Sequence, residues 1–297
     1  MTVFSASSQL SIKDSDHYIV WRVEPSRYEV KRIALSTGVT LEYVEQGAAD
    51  GIPVVLLHGI TDSWHSYEAT LQYLPLNIRA IAVSLRGHGD SDHPSQGYEM
   101  TDFSNDLAAF IREMKLGQVI AVGHSMSGAI VQQLALDHSD LLKGIVLIDS
   151  DASFQTNPGM PEFLEAVMKL KDPVTYSFAD EFQKSTLANP IDPEWYKILV
   201  GESLKVPAHV WRGAMSGLMK FNSTPHLNKI TVPVLIVWGD KDLICLRADQ
   251  DFLVNKIPGS KLIVYEGTGH ALHWEKPARF AEDLSAFVKR VVVFNNH

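Results

Sequence analysis

Residues 119–128 read Val-Ile-Ala-Val-Gly-His-Ser-Met-Ser-Gly. The uninterrupted apolar run Val119–Val122 fits a strand buried on both faces. After it, Ala129, Ile130 and Leu134 recur with helical spacing, so the stretch reads as strand, sharp turn and helix. The turn carries Ser125. A turn of this kind holds a hydroxyl in a strained, exposed position beside a helix N-terminus, where backbone N–H groups point outward. The backbones approach closely there, which demands small residues on both sides of the serine. Gly123 lies two positions before Ser125, Ser127 lies two after, and Gly128 follows. The usual form of such an elbow is G-x-S-x-G, so Ser127 departs from it while remaining small.

A nucleophilic serine needs a base, and the base needs an acid to orient it. Lys261–Tyr265 reads as a strand followed by Glu266-Gly267-Thr268-Gly269-His270, which places His270 in a glycine-rich loop past a strand end. Pro233–Trp238 is another buried-strand run, ending in Gly239-Asp240-Lys241-Asp242. A carboxylate in that loop is a candidate partner for the second ring nitrogen of His270. Asp240 and Asp242 both qualify, and Asp149 or Asp151, after the strand at 144–148, could reach the base from another loop. The chain order is serine, aspartate, histidine. Each residue follows the C-terminal end of a strand, where reactive groups of open α/β sheets collect.

The sequence resembles the α/β-hydrolase superfamily from about Tyr28 to Arg290. Besides the elbow, the match rests on Leu56-Leu57-His58-Gly59, Leu85-Arg86-Gly87-His88-Gly89-Asp90-Ser91, Gly239-Asp240-Lys241-Asp242, and Gly269-His270 with Glu275-Lys276-Pro277 following. The resemblance implies an α/β fold, a mostly parallel eight-stranded sheet flanked by helices with an inserted helical cap. It implies Ser125 as nucleophile, His270 as base and Asp242, the last residue of its Gly-x-x-Asp pattern, as acid. The backbone N–H groups of Ile60 and Met126 match the family's oxyanion donors. Where the family usually carries Asp before Arg86, this chain has Ser84, a structural position.

The chain of 297 residues, 45% of them hydrophobic, suffices for one sheet core with an insertion. Strand candidates at 29–34, 40–45, 53–57, 78–83, 118–122, 144–148, 233–237 and 261–265 alternate with helical patterns, and a last helix spans about 277–290. Residues 151–231 differ, with seven of the 14 prolines and no convincing strand. The division is an N-terminal extension over 1–27, a core over 28–150 and 232–297, and a helical cap over 151–231. In the extension, Tyr18 and Trp21 are candidates to dock on the core. A homo-oligomer stays open, with the extension as a candidate arm.

A net charge of −9 argues against nucleic-acid and anionic-membrane partners, which select basic patches. No apolar run approaches a membrane span, and Lys13, Asp14 and Asp16 interrupt what a signal peptide would keep apolar. The single Cys245 excludes an intrachain disulfide and fits a reducing compartment, with the cytoplasm as the default. Cys245 reads as a packing residue, His58 as shaping the oxyanion loop, and His88 and His124 as structural. The 12 histidines form no metal-binding motif, and no cofactor is called for. The cap's apolar residues include Phe154, Met160, Phe163, Phe178, Phe182, Trp195, Trp211, Met215, Met219 and Phe221; most of them are expected to pack the cap on the core, and a few to line a cleft for a small-molecule substrate. No Arg/Lys pair stands out as a carboxylate clamp, so the expected substrate is an apolar, uncharged ester or lactone. A C–C bond hydrolase or lyase on the same residues, and a hydrolase-like ligand receptor, remain the alternatives.

Overall fold

The computed structural model describes residues 27–294. Eight strands form one sheet: β1 (Lys31–Ala34), β2 (Thr40–Gln46), β3 (Ile52–Leu57), β4 (Ile78–Val83), β5 (Val119–His124), β6 (Leu142–Ile148), β7 (Val234–Gly239) and β8 (Lys261–Tyr265). Their spatial order is β1-β2-β4-β3-β5-β6-β7-β8. β2 runs antiparallel to both β1 and β4, and every pairing from β4 to β8 is parallel. The mostly parallel sheet flanked by helices agrees with the expected fold class. The N-terminal extension, with Tyr18 and Trp21, lies outside the described residues apart from Arg27.

The helices are α1 (Glu68–Leu71), α2 (Met100–Glu113), α3 (Met126–Asp137), α4 (Met160–Met168), α5 (Tyr176–Ser185), α6 (Pro193–Lys205), α7 (Ala208–Lys220), α8 (Arg247–Lys256), α9 (Leu272–Glu275) and α10 (Pro277–Phe294). Side chains of the central strands alternate between two apolar layers, as the two-residue period of a strand requires. Val55, Leu57, Val119 and Ala121 join the layer containing Phe103 and Leu107 of α2 and Ile130 and Leu134 of α3. Val54, Leu56, Ile120 and Val122 join the opposite layer. There α10 presents Phe280, Leu284, Phe287, Val288 and Val291, one stripe of an amphipathic helix.

Between β6 and β7 the described chain holds the helices α4–α7 and no strand. Several of the prolines there stand at helix starts: Pro161 near the start of α4, Pro193 opening α6 and Pro207 just before α7. At a helix start the missing N–H would have had no intrahelical acceptor, so proline costs nothing there. Asp192 caps α6 by accepting the Glu194 and Trp195 N–H groups. Met160, Val167, Trp211, Met215 and Leu218 of this insertion merge with the α2/α3 layer of the core. Among the described residues, no helix is long and apolar enough to cross a membrane.

Candidate active site

β4 and β5 flank β3, so the chain leaves β3 toward one side of the sheet and returns on the other. The loops after β3 and β5 diverge at that point, which opens a crevice at the C-terminal edge of the sheet. Ser125 sits there, between β5 and α3, at φ 54° and ψ −118°. Holding a non-glycine residue in such a conformation costs about 1–3 kcal/mol and requires a surrounding that over-determines it. The surrounding comes from β6 and the segment after it. Ser125 N–H donates to the Ile148 carbonyl at 2.9 Å, and the Ser125 carbonyl accepts from Gly128 N–H and Ser150 Oγ, both at 2.9 Å.

The small residues of the elbow have different reasons. A Cβ on Gly123 would lie 2.2 Å from the Ser127 carbonyl oxygen, and one on Gly128 would lie 2.0 Å from Ser150 Oγ. Both positions exclude any side chain. Ser127 is fully buried and uses its hydroxyl, which donates to the His58 carbonyl. The departure from G-x-S-x-G thus ties the elbow to the loop after β3.

His270 lies past β8 and is 3% exposed. Its Nδ1–H donates to Asp242 Oδ2 at 2.9 Å. The other Asp242 oxygen accepts the Ile244 and Cys245 N–H groups at 2.7 and 3.1 Å, which fixes the carboxylate. The remaining candidate acids are engaged elsewhere. Asp240 Oδ1 accepts Gly267 N–H at 2.6 Å, which together with Lys241 holds its carboxyl below the usual range. Asp149 Oδ1 accepts Gly239 N–H at 2.8 Å, and burial followed by repulsion from Asp242 pushes its carboxyl well up. Asp151 accepts the Ala152 and Ser153 N–H groups, and burial pushes its carboxyl up to about 6.

In the loop after β3, His58 Nδ1–H donates to the Gly59 carbonyl at 2.7 Å while Nε2 accepts Leu85 N–H at 3.0 Å. Both nitrogens are therefore occupied in holding the loop. His124 Nε2–H donates to the His270 carbonyl at 2.9 Å, and His88 Nδ1–H to the Arg86 carbonyl at 2.8 Å. Burial lowers all three imidazoles, His88 to about 4, so they are neutral near pH 7. Met126 opens α3, where its N–H has no intrahelical acceptor.

Ser125, His270 and Ile60 line one cavity of about 170 Å³. Its remaining walls are mostly apolar, with Phe154, Met160, Phe163, Phe182, Met215 and Leu218 from the insertion and Leu243 and Ile244 from the loop after β7. The Phe163 and Phe182 rings stack at 5.2 Å, and Trp211 closes on Phe182 edge-on at 5.4 Å. Polar side chains on the wall are already engaged: Asn157 bonds the Ile244 carbonyl and Gly159 N–H, and Ser185 Oγ bonds the Phe182 carbonyl. Among the described residues, no lysine or arginine lines the cavity. Among the described residues, Asp242, Cys245 and His270 bring potential metal-ligand atoms within 4.8 Å of one another. Burial, reinforced by Asp242, Asp151 and Asp149, pushes the Cys245 thiol well up, which keeps it protonated and a poor ligand.

Two features had no signal in the sequence. One is the Ser127–His58 bond across 69 positions. The other is a buried polar group behind Ile60, in which Asp62 meets Gln183 across 121 positions. Neither pair has a local pattern, because the partners meet only after the sheet and the insertion have formed.

Comparison with known proteins points to the same fold. The chain is 27% identical over 289 residues to a 2-(acetamidomethylene)succinate hydrolase of Mesorhizobium japonicum, covering 92% of this chain and 96% of that one. It is 29% identical to a non-heme chloroperoxidase of Streptomyces lividans, covering 86% and 99%. Among solved structures it is similar to an esterase from Exiguobacterium antarcticum, at TM-score 0.79 and 26% identity, covering 87% and 98%. The family profile of the alpha/beta hydrolase fold matches residues 52–277, and the chain belongs to that family.

Proposed function

We propose that this protein is a serine hydrolase that cleaves esters or lactones of small, uncharged, apolar carboxylic acids through an acyl-enzyme. The observation that carries the reading is the cavity itself: Ser125 and His270 share it, and His270 is braced from behind by Asp242. With Nδ1–H donated to Asp242, the His270 lone pair resides on Nε2. That nitrogen takes the Ser125 proton as Oγ attacks the substrate carbonyl, and Asp242 stabilises the resulting imidazolium. The Ile60 and Met126 amides receive the oxyanion, at roughly 3–4 kcal/mol per donor. His270 then protonates the leaving alcohol, and a water repeats the sequence to free the acid. Helices α4–α7 serve as the cap over the site. The esterase neighbour supports the ester reading, while the hydrolase and chloroperoxidase relatives leave the leaving group and acceptor to experiment.

The cavity walls argue for the substrate class. Its polar side chains other than Ser125 and His270 are engaged within the protein, and among the described residues no cationic side chain lines it to pair a substrate carboxylate. A cavity of 170 Å³ is little larger than one of about 150 Å³ that admits benzene, so the fitting acyl arm is about six or seven carbons. The test is hydrolysis of 4-nitrophenyl esters from acetyl to dodecanoyl, with benzoyl and succinyl esters alongside and Ser125→Ala as control. Expected is multiple turnover that vanishes in Ser125→Ala, peaks at short acyl chains or benzoyl, and disfavours succinyl. Equal rates for succinyl and butanoyl esters would sink the substrate class, and turnover surviving Ser125→Ala would sink the nucleophile.

A further inference from the structure

We propose that Gln183 is a positioning residue: from cap helix α5 it holds Asp62, and through Asp62 the loop carrying the Ile60 amide, so that seating of the cap sets the oxyanion hole. The inference rests on the serine-hydrolase reading above.

Thr61 and Asp62 directly follow Ile60, and Thr61 has φ 71°. A β-branched residue in the left-handed region persists only where contacts over-determine it. Here those contacts come from the cap. Gln183 Nε2 donates to Asp62 Oδ1 at 2.7 Å and to Ser203 Oγ, on α6, also at 2.7 Å. Ser203 Oγ in turn lies 3.2 Å from Thr61 Oγ1. Thr61, Asp62, Gln183 and Ser203 are all buried, so water offers no substitute partner. Within the loop, Asp62 N–H reaches the Gly59 carbonyl at a longer 3.3 Å.

The Ile60 amide is therefore bracketed. Upstream, Ser127 of the elbow grips the His58 carbonyl; downstream, Gln183 and Ser203 of the cap grip Asp62 and Thr61. The second grip adjoins the substrate, because Phe182 and Ser185, on the same turn of α5 as Gln183, line the cavity. Burial pushes the Asp62 carboxyl up to about 8, against the Gln183 and Gly59 bonds that favour its ionised form.

Gln183→Met keeps the length and volume of the side chain and removes its donor. The full chain is assayed for thermal midpoint, for kcat and KM on the best 4-nitrophenyl ester, and for the rate at which a small fluorophosphonate labels Ser125. Labelling needs the nucleophile and the oxyanion hole but no natural substrate. Expected is a kcat about 10–100-fold lower with KM held within about twofold, and labelling slowed by the same factor. Ser203→Ala should show the same pattern at about threefold, and carries the test if Gln183→Met does not fold. Wild-type kcat and labelling rates in the folded variants, or a raised KM at unchanged kcat, overturn the positioning role and leave the serine-hydrolase reading intact. Failure of the wild-type protein to label at Ser125 overturns that reading, and this proposal with it.

Discussion

Asp242 and Asp149 are buried neighbours treated oppositely by their surroundings. Asp242 accepts three donors, from His270, Ile244 and Cys245. Asp149 accepts from Gly239, while burial and the Asp242 charge push its carboxyl well up. The Asp242 carboxylate is the one that faces the imidazole. Asp242→Asn removes that charge and favours the wrong His270 tautomer, and kcat should fall by about 10⁴. Asp149→Asn replaces the acid with a neutral amide of the same shape, and kcat should stay within about threefold. Steady-state kinetics on both variants checks the pair; an equal loss in Asp149→Asn would reverse the assignment. Spacing alone left four aspartates eligible, because each follows a strand. Hydrogen-bond geometry separated them.

The strand–turn–helix element around Ser125 was legible because its constraints are local. A strand must be apolar, a turn must be small, and a helix must show its period. The limits of the strands were less legible. β5 extends through Gly123 and His124, and β7 through Trp238 and Gly239, because β6 and β8 supply ladder partners there. Sheet pairing overrides the weak strand preference of glycine. Within the elbow the two small positions predict different outcomes. Gly128→Ala forces a Cβ into Ser150 Oγ and Cβ, 2.0 and 2.3 Å away, and should cost about 1–3 kcal/mol together with most activity. Ser127→Gly restores the commoner residue but removes the bond to His58, at about 1 kcal/mol. Denaturant unfolding of both variants reads the difference, and a Ser127→Gly protein as stable as the parent would deny the hydroxyl a structural role.

At the scale of the molecule, buried groups of two kinds set opposing pH slopes. Asp62, Asp149 and Asp151 have raised carboxyl pKa values, Asp62 to about 8 and Asp151 to about 6. The folded state holds protons that the unfolded chain has already released, so stability falls as pH rises from about 4 toward 8. His58, His88, His124 and His273 are lowered, His88 to about 4 and His273 to about 3. The unfolded chain binds protons there that the folded state refuses, so stability also falls as pH drops below about 6.5. Thermal midpoints should therefore peak at about pH 6–7. Asp62→Asn, which cannot ionise, should flatten the alkaline side of that curve. A midpoint still climbing at pH 8 in the parent protein would contradict the raised carboxyls.

The order of serine, aspartate and histidine, the elbow and the strand–helix alternation were present in the sequence, because each rests on neighbours a few positions apart and on side-chain type. Which aspartate meets His270, why Ser127 stands where glycine is usual, and what holds Thr61 in the left-handed region were settled by folding. Those interactions join residues 28, 69 and 142 positions apart. Contacts at that separation leave no periodicity in the chain. They arise where the sheet edge, the loop after β3 and the helical insertion pack together, and burial there makes every unmade hydrogen bond costly.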